Sequence, residues 1–110
     1  MPDSFDALPK LKSFDVSNNF VTDTIPPSLA THTSLNSLHL TANQLTGFAG
    51  FSNPNLSNIF INQNAFSGMA VSQMGALQRL VANSNQMKGP LPDFSRATNM
   101  QIFSAANNSL

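Results

Sequence analysis

The 110-residue sequence has no cysteine, no tryptophan and no tyrosine, and it has few charges. Without cysteine there is no disulfide, no thiolate metal site and no sulfur nucleophile. The compartment stays open, because secreted domains without disulfides are common. Charged residues make up 9%, against roughly 25% in an average soluble protein. Lys plus Arg balances Asp plus Glu at 5 each, so no net field concentrates nucleic acid or an anionic membrane, and both partners are discarded. No apolar run approaches the roughly 18 residues of a membrane span, and MPDSFDALPK lacks the basic and apolar regions of a signal peptide. The histidines, His32 and His39, stand at no metal-ligand spacing, so neither a metal nor another cofactor is expected.

What is present is apolar content of 41%, enough for a folded core, and a polar surface of Asn, Ser, Thr and Gln. It is arranged as a repeat. The stretch LNSLHLTANQLTG, from Leu35 to Gly47, places Leu35, Leu38, Leu40, Asn43 and Leu45 at offsets that recur from Leu11, Leu56, Leu77 and Met100. The marker asparagines Asn19, Asn43, Asn64, Asn85 and Asn108 are spaced by 24, 21, 21 and 23 residues, within one repeat class. Two positions after each comes an apolar residue: Val21, Leu45, Phe66, Met87 and Leu110.

Alternation over L-x-L sends alternate side chains to opposite faces, as a strand requires. The chain must then turn sharply. An asparagine at the corner tolerates unusual backbone angles, and its amide offers two donors and an acceptor to backbone groups that no ladder reaches. Stacked from repeat to repeat, such asparagines form a continuous structural ladder.

The residues that carry this pattern resemble the leucine-rich repeat family, and their connections resemble its plant-type subclass, LxxLxxLxLxxNxLxGxIPxxLxx. Residues 1–10 read as the tail of a preceding repeat, with Met1 and Pro2 in the Ile-Pro positions and Phe5 and Leu8 as spine residues. Full repeats span 11–34, 35–55, 56–76 and 77–99, and 100–110 is partial. Repeat one keeps Ile25, Pro26 and Leu29 but has Asp23 for the subclass glycine and His32 for a leucine. Repeats two and three keep Gly47 and Gly68 and lose Ile-Pro, which implies shortened or irregular outer arcs. Repeat four regains the motif as Gly89, Pro90, Leu91 and Pro92. The resemblance implies an α/β-type right-handed solenoid, with short parallel strands on a concave face, loops and 3₁₀ turns on the convex face, and little or no regular helix. It also implies an extracellular or cell-surface setting, and the uncapped ends read as an excerpt of a longer receptor or inhibitor ectodomain.

On that frame the outward positions of the concave sheet form rows. The central row is Asp15, His39, Phe60, Val81 and Ser104; the row towards the corner is Ser17, Thr41, Asn62, Asn83 and Ala106; the row behind is Ser13, Ser37, Asn58, Arg79 and Ile102. Phe60, Val81 and Ile102 are expected to form an exposed apolar patch bordered by Asn58, Asn62, Arg79 and Asn83, the make-up of an interface hot spot. Asp15 and His39 are expected to be cross-strand neighbours and to form an exposed ion pair. A hydrolytic triad can be drawn from them with Ser17, Ser37 or Thr41. The abundance of Ser and Thr makes chance placement the default, so no catalytic residue is assigned.

Asn55-Leu56-Ser57 and Asn107-Asn108-Ser109 match the N-glycosylation pattern, with Asn55 the more accessible. His32 reads as a hydrogen-bonded core histidine, Phe51 as a substitute spine residue and Phe20 as an exposed corner. The leading function is a non-catalytic scaffold for a protein or peptide ligand. Alternatives are the sensing part of a receptor kinase, binding to ice or to a polysaccharide surface, and a spacer between functional repeats.

Overall fold

The L-x-L centre of every repeat is a three-residue strand, and each strand pairs with its counterpart in the next repeat. The computed structural model describes residue 1 and residues 4–109. In chain order the elements are β1 (Ser13–Asp15), β2 (Thr22–Asp23), α1 (Pro27–Ala30), β3 (Ser37–His39), β4 (Gln44–Phe51), β5 (Asn58–Phe60), β6 (Ala65–Val71), β7 (Arg79–Val81) and β8 (Ile102–Ser104). A five-stranded parallel sheet runs β1-β3-β5-β7-β8, and a three-stranded parallel sheet runs β2-β4-β6. The sole helix among the described residues is one turn at Pro27–Ala30. The expected solenoid of parallel strands with almost no helix is the observed fold.

Between the sheets lies the core. Leu35, Leu38, Leu40 and Leu45, then Leu56, Ile59, Ile61 and Phe66, then Leu77, Leu80, Ala82 and Met87 are all fully buried. The matching residues of repeat one, Leu11, Phe14, Val16 and Val21, are only partly buried, because a stacked repeat covers them on one side. Phe5 is buried and meets Phe14 edge to face, as a spine residue should, whereas Leu8 is 52% exposed, contrary to the spine role read from its position. Pro2 and Leu110, which the repeat frame also assigned, lie outside the described residues.

The ladder forms as its spacing implies. Asn64 Nδ2 donates to the carbonyls of Leu40, Ile61 and Asn62 at 2.8, 3.3 and 3.1 Å, and its Oδ1 accepts from Leu45 N at 3.0 Å. Asn43, Asn85 and Asn108 repeat this set, taking the N–H of Val21, Phe66 and Met87. Asn19 is exposed and holds Val16 O and Ser17 O. The unusual backbone angle, however, belongs to the residue before each asparagine. Asn18, Ala42, Gln63, Ser84 and Asn107 all have φ between 56° and 60°. The ladder residue itself needs its amide aimed into the corner, and its predecessor makes the left-handed turn that aims it.

The outer arcs of repeats two and three are shortened, and their one irregularity is a register shift. They are the seven- and eight-residue strands of the second sheet, joined in six register pairs from Thr46↔Ala65 to Phe51↔Val71, with one bulge after Gly47. Proline explains the contrast with repeat one. Pro26 and Pro27 come three and four residues after the end of β2, and a proline cannot donate to a ladder, so β2 cannot extend as β4 and β6 do. β4 and β6 contain no proline and continue.

Candidate functional site

The concave sheet places the three rows as the alternation requires. The register pairs are Asp15↔His39, His39↔Phe60, Phe60↔Val81 and Val81↔Ser104 along the central row, and Ser13↔Ser37, Ser37↔Asn58, Asn58↔Arg79 and Arg79↔Ile102 behind it. Ile102 is therefore beside Arg79 and diagonal to Val81. It is 46% exposed, but Phe60 and Val81 are half-buried, so the patch is less open than expected.

Phe60 is half-buried because its neighbours close on it. The His39 imidazole stacks on the phenyl ring with centroids 4.8 Å apart and an interplanar angle of 21°. The same imidazole is fixed by Ser37 Oγ, 2.8 Å from Nε2. On the other flank Arg79 Nη1 donates to Asn58 Oδ1 at 3.1 Å. In the row towards the corner Asn62 Oδ1 accepts from Asn83 N at 2.6 Å, and Asn83 Oδ1 accepts from Ser104 Oγ at 2.8 Å and Ala106 N at 2.7 Å. Rotamers around Phe60 are thus held in advance, which lowers the ordering cost of engaging a partner.

Asp15 has a different role from the one its register suggests. Its Oδ1 accepts from Ser17 N at 2.9 Å, and among the described residues no hydrogen bond or ion pair joins it to His39. The Ser17 backbone N–H, then the Ser17 side chain, hold the carboxyl below its ordinary range, with His39 the smallest of the contributions. Stacking and the Ser37 hydroxyl have claimed the imidazole, so the expected ion pair does not form. Nor does a triad: Ser37 and His39 share one bond, the acid that would orient the imidazole is turned to Ser17, and the surface is an open sheet.

Of the remaining candidates, Asn55 is exposed, but its Nδ2 donates to Thr33 O at 2.6 Å, while Asn107 is exposed with a long 3.5 Å contact to Ser84 Oγ. His32 is 6% exposed, with Nε2 2.9 Å from Leu8 O and Nδ1 accepting from Ser34 N, a core histidine as read. Phe51 is buried, and Phe20 is 84% exposed. Among the described residues no cluster of three acidic or histidine side chains forms that could hold a metal, and no helix is long and apolar enough to cross a membrane.

The Leucine Rich Repeat family matches residues 10–32, the first full turn of the solenoid. Residues 10–32 are therefore a leucine-rich repeat, and the later turns stack on it with strands of the same kind. Among curated relatives, Receptor-like protein 41 of Arabidopsis thaliana is 35% identical over 91 residues, which cover 83% of this chain. The chain spans only 8% of that protein's length. No solved structure matches it. Sequence reasoning had found the rows of this repeat sheet but not the His39–Phe60 stack, whose only signal was the adjacency of two rings in the central row.

Proposed function

We propose that the concave sheet binds an extended protein or peptide segment, with Phe60 as its anchor. The observation that supports this most is the preformed platform of His39 on Phe60, continued by Val81 and flanked by Asn58–Arg79 and Asn62–Asn83. Apolar area at the centre with fixed hydrogen-bonding groups around it is the anatomy of an interface hot spot. Arg79 has donors beyond the one given to Asn58, and these would meet a carboxylate or carbonyl of the ligand. Asp15, two strands from Phe60, would meet a donor or cation.

The family and the receptor-like relative support a recognition role at a cell surface, in which Asn55 and Asn107 would be glycosylation acceptors. No catalytic step is proposed. A random peptide library displayed on phage and selected on the chain supplies the test. Capture of the selected peptides should fall at least tenfold, by about 1.4 kcal/mol or more, in Phe60→Asp and in Arg79→Glu, with circular dichroism unchanged. Equal capture by wild type and both variants would reject the concave site.

A further inference from the structure

The second sheet carries its own exposed ring, remote from the concave rows. Phe48, in β4, is 62% exposed. A Cβ built on Gly68 of β6 would lie 2.9 Å from Phe48 Cε2 and 3.0 Å from Cδ2, and one on Gly50 of β4 would lie 3.7 Å from Cδ1 and 3.8 Å from Cε1. One edge of the ring therefore packs on Gly68 and the other edge borders Gly50, and most of the ring stays open to water. Packing on these two glycines accounts for only part of the ring surface.

Around this ring the outward positions of β4 and β6 are uncharged. Thr22, Gln44 and Thr46 are exposed on β2 and β4, Ser67 is exposed on β6, and Ala65, Gly50 and Ala70 keep the surface low. Charge enters this face at Asp23, the exposed last residue of β2, whose carbonyl accepts from Thr46 Oγ1 at 3.5 Å, and at Lys88, whose N–H bonds Ser67 O. Parallel strands about 4.8 Å apart, with same-face residues about 6.6 Å apart along each, give a flat grid of hydroxyl and amide groups around the ring.

We propose that this face is a platform for a neutral polysaccharide chain. The open face of Phe48 stacks on the C–H face of a pyranose ring, while Thr46, Ser67 and Gln44 meet the hydroxyls at its rim. An extended polymer suits a flat surface, whereas a small ligand needs a concavity to bury it. The uncharged outward positions of β4 and β6, with the Asp23 carboxylate beside them, select a neutral chain over an anionic one. The site is independent of the concave platform and stands or falls separately.

Retention of the 110-residue protein on insoluble cellulose, and calorimetric titration with a soluble β-glucan oligosaccharide, test this. Wild type should bind both, Phe48→Tyr should bind comparably, and Phe48→Ala should lose about tenfold or more, as truncation of an anchoring side chain does. Thr46→Lys, which leaves the ring and its glycines untouched, should also lose binding, and Phe60→Asp should not. No retention of wild type, undiminished binding by Phe48→Ala and Thr46→Lys, equal binding of anionic polygalacturonate, or loss only in Phe60→Asp would each overturn the proposal.

Discussion

Asn43, Asn64 and Asn85 each satisfy two amide hydrogens and one carbonyl oxygen with backbone groups of two repeats. Truncating a buried one leaves several buried backbone groups unpaired, at about 1–3 kcal/mol apiece before relaxation. Asn85→Ala should therefore lower stability in urea by about 3 kcal/mol or more, and the exposed Asn19→Ala by under about 1 kcal/mol. The preceding residues offer the opposite change. Ala42, at φ 59°, sits where a Cβ costs roughly 1–2 kcal/mol, so Ala42→Gly should be neutral or stabilising by up to about 1 kcal/mol despite the added freedom of the unfolded chain. Asp15 supplies a pH effect of known sign. Its carboxyl is held low in the fold, so its contribution is present above the ordinary carboxylate pKa and is lost as pH falls through the folded value. Stability of Asp15→Asn should accordingly fall less than that of wild type on acidification, as read from thermal melts. The ladder was legible because one residue type recurs at one spacing. Its left-handed partner was not, because Asn18, Ala42, Gln63, Ser84 and Asn107 share a conformation without sharing a side chain.

Among the elements, the second sheet rests on glycine and proline. Gly47 combines φ 82° with a Cβ position 2.8 Å from Thr24 Cγ2, so Gly47→Ala should destabilise by about 1–3 kcal/mol. Gly68 is different: its φ is ordinary, and only the Phe48 ring obstructs a Cβ there. Gly68→Ala should cost about 1 kcal/mol alone and almost nothing in a Phe48→Ala background, a coupling that a double-mutant cycle in denaturant will measure. This sheet was hidden in the sequence because a repeat frame assigns everything after the glycine to the outer arc. The alternation in QLTGFAGF is a strand pattern, but Gly47 and Gly50 within it read as punctuation until the pairing with AFSGMAV is known.

For the whole molecule, the stacking of repeats means that each turn is stabilised by its neighbours alone. The central spine is fully buried, and the spine of repeat one is not, so backbone exchange should be slowest at Leu40, Ile61 and Ala82 and faster at Val16. The two proposed sites separate by face in the same way. The concave rows were legible because strand alternation alone fixes which side chains point outward and which are adjacent. The half-burial of Phe60 and the turn of Asp15 towards Ser17 were not, since both arise from side-chain contacts that compete with the register. The most direct measurement of the concave platform is a nuclear magnetic resonance titration of a library-selected peptide into the isotope-labelled protein. Shifts concentrated at Phe60, Arg79, Val81 and Asn83, and abolished by Phe60→Asp, are the predicted result. Shifts centred on the outer arcs or the second sheet, or undiminished in Phe60→Asp, would contradict it.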